Sequence, residues 1–271
     1  MSQSAAGISR KGRGELALVA GRGRRLVSVA EVATALDMER IEAAKKLARW
    51  ANEGWLRRVR RGLYIPVPLE ADDPKSWSED PIILADAVWS PCYFTGWTAA
   101  NHWGLTEQIF RTTVLKTVRR VRSSRERLLD HEYLLAHAPR RLMDWGLRGV
   151  WREERKVLMA DPARTVIDIL DAPRFGGGIR QVTEIVASYL NEHDWRTLVE
   201  YGDRLGNRSV FKRLGYLVEA AGLGGPEFVA KCLDRISAGI SLLDPGGPMR
   251  GKSVGKWGIR ANVRVTQPEA S

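Results

Sequence analysis

A chain of 271 residues has room for one large domain or two smaller ones. Its 44% hydrophobic and 28% charged residues are the mix of a folded chain, and a formal net charge of +11 favours a polyanion, nucleic acid ahead of an anionic membrane surface. No window approaches the ~18 consecutive apolar residues that cross a bilayer, and the opening MSQSAAGISRKGRGE lacks the apolar stretch of a secretion signal, so a cytoplasmic chain without a membrane partner is expected. Cys92 and Cys232 are too few for a disulfide framework, have no C-x-x-C spacing for zinc or redox work, and read as small buried hydrophobes.

The charge is unevenly spread. Residues 1–66 hold 14 Lys and Arg against 6 Asp and Glu, about +8 of the excess, which places the expected polyanion site there. A second basic cluster, RTTVLKTVRRVRSSRER, occupies 111–127. The prolines and acidic residues of PVPLEADDPKSWSEDP, 66–81, read as a linker, with a domain boundary near Glu70 that separates 1–70 from 71–271.

In chain order, Leu16, Leu18, Val19 and Ala20 suit a short helix over 15–20, preceded by the basic arm RKGRG. After GRGRRL, Ser28 and Glu31 have the spacing of a capping box, so a helix is expected to start at Val29, with Val29, Val32, Ala33 and Leu36 on one face. Asp37 and Met38 form a short break before ERIEAAKKLARWANEG. This second helix is expected to turn Ile41, Ala44, Leu47, Ala48 and Ala51 inward and Arg40, Lys45, Lys46, Arg49 and Asn52 outward.

Two short helices, the second basic on its outer face, suit a helix-turn-helix and equally a helical hairpin with a solvated face. The next stretch, WLRRVRRGLYIPVP, favours the former. Gly54 can end the helix in a left-handed cap, and strand-like residues 55–59 and 63–67 flank the turn Arg60-Arg61-Gly62, with Leu63, Ile65 and Val67 on one face. A β-hairpin directly after a recognition helix is the wing of a winged helix, and guanidinium groups at its tip can bind phosphate bidentately or enter a narrow groove. Arg57, Arg58, Arg60 and Arg61 are the candidates for that contact. Arg40 is the leading candidate for a base edge, with Lys45 and Lys46 behind it and Arg49 on the same face; for each the competing reading is a phosphate contact or a solvated charge.

Beyond the linker, SPCYFTGWTAANHWGL reads as a helix ending near Gly104, RTTVLKTVRRVR as a strand, and ADPARTVIDILDAP as a helix that Asp161 can cap with Pro162 in its first turn. QVTEIVASYL and SVFKRLGYLVEAAGL read as further amphipathic helices. The basic residues Arg119, Arg120, Arg122, Arg125 and Arg127 could extend a nucleic-acid footprint, touch a protein or RNA partner, or be solvated.

Chemistry elsewhere is sparse. Glu154-Arg155-Lys156 with Asp144 upstream has the form of a metal-dependent nuclease site, against a solvated strand end. Asp161, Arg164, Asp168 and Asp171 share a helix face and read as a cap and ion pairs, since no histidine or nucleophile accompanies them. His102, His131, His137 and His193 lack metal-ligand spacing, and RFGGGIRQ lacks the G-K-[ST] of a phosphate loop and reads as a connection. Most of the ten tryptophans are expected in the core.

The succession RRVRRGLYIPVP, GWTAANHWGL, MADPARTVIDILD, FKRLGYLVEAAGL and LLDPGGPMRGKSVGKWGIRANV resembles the AbiEi antitoxins of bacterial abortive-infection toxin–antitoxin pairs. The resemblance implies a winged-helix domain that represses its own operon by binding inverted repeats, with a possible dimer on the DNA, and a C-terminal domain that counters a co-expressed nucleotidyltransferase-like toxin. The arm RKGRG is more basic than the family needs. The expected fold class is therefore α+β, an N-terminal winged helix-turn-helix domain followed by a larger mixed α/β antitoxin domain. The partners are double-stranded operator DNA and the toxin, and no catalytic residue, cofactor or metal is expected. The alternatives are the metal-dependent nuclease and a winged-helix regulator that senses a small molecule.

Overall fold

The computed structural model describes residues 10–20, 26–68, 79–153 and 155–265. The chain forms two compact units, the first of Met1–Val88 with Arg127–His131 and the second of Trp89–Glu126 with Glu132–Ser271. The linker residues around Glu70, and Glu154 of the nuclease reading, lie outside the described residues.

The first unit is a winged helix. α1 (Arg10–Ala20) leads to β1 (Val27–Ser28), α2 (Val29–Ala35) and α3 (Arg40–Asn52), and the hairpin of β2 (Leu56–Arg60) and β3 (Leu63–Pro66) completes a small antiparallel sheet of order β1-β3-β2. The expected capping box is present: Ser28 Oγ accepts from the Glu31 backbone N–H, and the Ser28 N–H donates to Glu31 Oε2 at 2.8 Å. A short turn joins α2 to α3, with Asp37 at φ +47. Val19, Val27, Val32, Ala43, Leu47, Trp50, Leu56 and Tyr64 form one buried cluster, so α1, α2, α3 and the three strands contribute to the same core. β3 departs from the expected one-sided pattern. Tyr64 joins this cluster and its neighbour Ile65 is buried as well, because β3 is the central strand and is covered on both faces. The basic arm RKGRG is part of α1, not a separate segment before it.

The second unit is built on a six-stranded mixed sheet of β4 (Cys92–Phe94), β5 (Thr112–Thr117), β6 (Arg125–Leu128), β7 (His131–His137), β8 (Leu147–Arg152) and β9 (Arg155–Ala160), in the order β6-β7-β5-β4-β9-β8. β4 runs antiparallel to β5 and parallel to β9, and β5 runs parallel to β7. α4 (Pro81–Trp89) belongs to the first unit in all but its last residue; in the second, α5 (Gly96–His102) follows β4, and α6 (Pro162–Asp171), α7 (Ile179–Glu192), α8 (Trp195–Leu205), α9 (Ser209–Ala221) and α10 (Pro226–Leu233) follow β9. The chain ends in a small sheet of β10 (Ser241–Leu242), β11 (Lys252–Val254) and β12 (Ile259–Ala261).

Within this unit SPCYFTGWTAANHWGL is strand then helix rather than one helix. Cys92, Tyr93 and Phe94 are all buried, so the strand shows a continuous apolar run with no alternation to mark it. The helix from Pro162 has its Asp161 cap on the Arg164 N–H at 2.8 Å, as its sequence requires. On α9, Gly215 lies flat against the Trp257 ring, where any Cβ would collide. Trp257 Nε1 donates to Glu219 Oε2 at 2.7 Å and Lys256 pairs with the same carboxylate, which docks the C-terminal sheet on the helix. Both cysteines are buried, and burial pushes the Cys232 thiol up to about 12, so it stays protonated and inert.

A buried charge cluster joins the sheet to α6. Asp168 accepts from Lys116 Nζ at 2.9 Å, Arg164 Nε at 3.1 Å, Thr95 Oγ1 at 2.8 Å and Tyr93 OH at 3.0 Å. Arg164 Nη2 donates to Tyr93 OH at 2.9 Å, and the guanidinium stacks 3.6 Å from the Trp145 ring centroid. Burial by itself would raise the Asp168 carboxyl. The charges of Lys116 and Arg164, with the hydrogen bonds, outweigh it and hold the group below the usual carboxylate range. A carboxyl that titrates lower in the folded than in the unfolded chain contributes stability in full above about pH 4 and loses it as pH falls through the folded value. Asp168→Ala leaves two buried cations short of their partner and should cost ~3–5 kcal/mol at pH 7 in denaturant unfolding. In acid titrations, Asp168→Asn should unfold with a shallower dependence on pH below 4 than the parent.

Candidate nucleic-acid interface

The sequence of α3 offers two apolar faces, and packing chooses between them. Ala43, Leu47 and Trp50, at i, i+4 and i+7, are the buried residues. The expected inward set of Ile41, Ala44, Leu47, Ala48 and Ala51 is corrected accordingly: only Leu47 is in the core, Ala44 and Ala51 are half-buried, Ala48 is exposed and Ile41 is 71% exposed. The indole of Trp50 removes far more apolar surface from water than the side chain of Ile41, so the helix rotates to bury it.

That rotation sets the outward face. Arg40, Ile41, Glu42, Lys45, Ala48, Arg49 and Asn52 are exposed along it. Arg49 has a loose i, i+4 pairing with Glu53 at 3.9 Å, while Arg40 and Lys45 are exposed. Lys46 is different. Its side chain is 17% exposed, its Nζ pairs with Glu15 of α1 at 2.5 Å, and it lies 5.5 Å from the Trp50 ring centroid. Lys46 thus fastens α1 to α3 rather than standing with Arg40 and Lys45. The short spacing of basic residues in EAAKKLAR gives no hint of this, because the acidic partner is thirty-one residues upstream.

The wing is tighter than the sequence suggests. Arg60 belongs to β2 and pairs with Leu63 of β3, which leaves Arg61 and Gly62 as the two-residue turn. Gly62 has φ +75, a conformation that only glycine adopts freely. Its carbonyl accepts from the Val29 N–H at 3.2 Å, which ties the tip of the hairpin to the start of α2. A register shift between Arg58 and Arg60 bends the strand there. Arg58, Arg60 and Arg61 are exposed, whereas Arg57 is mostly covered, with its Nη2 3.3 Å from Asp130 of the same unit. Three of the four wing arginines are therefore presented together and the fourth is held.

The remaining candidates fall elsewhere in the fold. Arg119, Arg120 and Arg122 lie on the connection from β5 to β6, and Arg125 begins β6; all four are exposed, and Arg119 donates through Nε to the Ser90 carbonyl at 2.7 Å. Among the described residues no group of three or more His, Cys, Asp or Glu is placed to hold a metal, and no helix is long and apolar enough to cross a membrane.

Glu15→Ala should lower thermal stability by ~1 kcal/mol by stranding the mostly covered Lys46 ammonium. A double variant with Lys46→Met should recover most of that loss, and a failure to recover it would show that the two side chains are not coupled.

Residues 15–67 match the model of a family described as transcriptional regulator, AbiEi antitoxin, so the AbiEi resemblance holds over the winged helix. Among solved structures, the RV2827C protein from Mycobacterium tuberculosis is similar in fold, with a TM-score of 0.61 at 14% identity over 91% of this chain and 89% of that one. A comparison with curated proteins found no match.

Proposed function

We propose that the chain is an antitoxin that represses its own operon. Its winged helix binds inverted-repeat operator DNA as two copies, and its second unit counteracts a co-expressed nucleotidyltransferase-like toxin in the cytoplasm. The observation that carries the DNA half is the joint exposure of Arg40, Lys45 and Arg49 on α3 and of Arg58, Arg60 and Arg61 on the wing. A helix diameter of about 10–12 Å matches a major groove of about 12 Å, so α3 fits the groove while the wing arginines reach adjacent phosphates. Lys46 and Arg57 are left out of the contact set, since each already has an acidic partner.

The antitoxin half rests on the family description matched by residues 15–67 and on the resemblance of the later sequence blocks. The exposed Arg119, Arg120, Arg122 and Arg125 are a proposed second contact surface, for DNA or for the toxin. No enzymatic step is proposed. The acidic residues of α6 are engaged in capping and in the buried cluster, and Asp144 of the nuclease reading stands exposed on a turn.

Binding of the full chain to DNA from its own upstream region, titrated at several salt concentrations, tests the reading. Each phosphate neutralised contributes about −0.9 to the slope of log K against log salt. Arg60→Ala/Arg61→Ala should reduce the slope by up to about two and weaken binding across all sequences, whereas Arg40→Ala should also relax discrimination between sites. An unaltered slope in the double variant would remove the wing from the interface.

A further inference from the structure

The outward ridge of α3 carries one large apolar side chain, which a phosphate contact cannot use. Ile41, Lys45, Ala48 and Asn52 follow one another at i, i+4, i+7 and i+11, and all four are exposed. Ile41 sits in the first turn and is 71% exposed, on a helix that has already placed Leu47 and Trp50 in the core. Ala48, further along the ridge, keeps it low and lets the helix backbone approach a groove floor closely.

We infer that Ile41 reads thymine, by packing against the C5-methyl group of one thymine in each half-site. The inference rests on the DNA reading above and assigns a specificity residue within it. In a helix-turn-helix the N-terminal residues of the second helix meet the base edges. Ile41 has neither donor nor acceptor, and the thymine methyl is the one apolar group that the major-groove edges of the four bases display. The neighbouring Glu42 carboxylate disfavours phosphate near this turn, while Arg40 and Lys45 flank Ile41 and hold the duplex by charge. The apolar end of the ridge thus faces the bases beside Arg40, and Lys45, one turn further along, faces the backbone. Removal of a methyl group from such a contact should weaken binding about fourfold, the equivalent of one buried methylene.

The preferred duplex would first be selected from a random library with the full-length chain. Each thymine of that duplex would then be replaced singly by uracil, which pairs identically but lacks the methyl group, and binding measured by fluorescence anisotropy for the parent and Ile41→Ala. One position per half-site is expected at which uracil weakens the parent about fourfold. At that position Ile41→Ala should bind thymine and uracil duplexes equally, while its affinity for unrelated duplex stays at the parental level. Because Ile41 is exposed, the variant should melt as the parent does, and a melting curve checks this. A uracil scan without any sensitive position, or a sensitivity that persists undiminished in Ile41→Ala, would overturn the inference and leave the DNA reading intact. If the parent selects no sequence at all, the operator reading fails, and the inference fails with it.

Discussion

The burial of Leu47 and Trp50 fixes the rotation of α3 about its own axis, and the chemical character of the winged helix follows from that rotation. With Trp50 against Val32, Leu56 and Tyr64 in one cluster, the opposite side of the helix has to carry Arg40, Ile41, Lys45 and Arg49. A rotation of some 100° per residue means that even a one-residue change of the inward set would bring a different row of side chains to the surface. The wing depends on the same core. Tyr64 places β3 in it, Gly62 closes the turn beside α2, and Arg58, Arg60 and Arg61 project from what remains.

Cations do two different jobs in this chain. Among the described residues of the first unit most stand in solvent, where each is cheap to keep and available to a polyanion. In the second unit several are inside. Lys116 and Arg164 converge on Asp168, and the buried Lys212 and Arg213 donate to backbone carbonyls: Lys212 Nζ to Gly239 at 2.7 Å, and Arg213 to Leu243 at 3.1 Å and Leu170 at 2.8 Å. These interior cations stitch the C-terminal segment and α6 into place, because a buried charge is tolerated only where hydrogen-bond partners surround it. The net charge of +11 therefore overstates what the surface offers to a ligand, and it is the placement of the charge in the first unit that carries functional meaning.

The likeness of fold to the RV2827C protein extends over nine-tenths of the chain at only 14% identity. Folds persist when apolar volume and a few buried polar networks are kept, while exposed side chains change freely and with them the ligand. The features of the second unit that are most demanding sterically, Gly215 under Trp257 and the Asp168 cluster, are devices for packing and join elements far apart in sequence. The ridge of α3 and the tip of the wing are made of exposed side chains instead, and can vary without disturbing the core.

Local signals in the sequence determined the start of α2 at the Ser28–Glu31 box, the cap and first-turn proline of α6, the wing hairpin around Gly62, and the concentration of charge in the first quarter. Each is an interaction among residues a few positions apart, so the sequence alone was enough to read it. Tertiary structure decided which face of α3 is buried, that Lys46 and Arg57 are held by Glu15 and Asp130, that Cys92–Phe94 is a strand, and that Lys116 belongs with Asp168. Those outcomes depend on partners tens of residues away and on the competition between Trp50 and Ile41 for one core, and no periodicity within a single helix can weigh that competition.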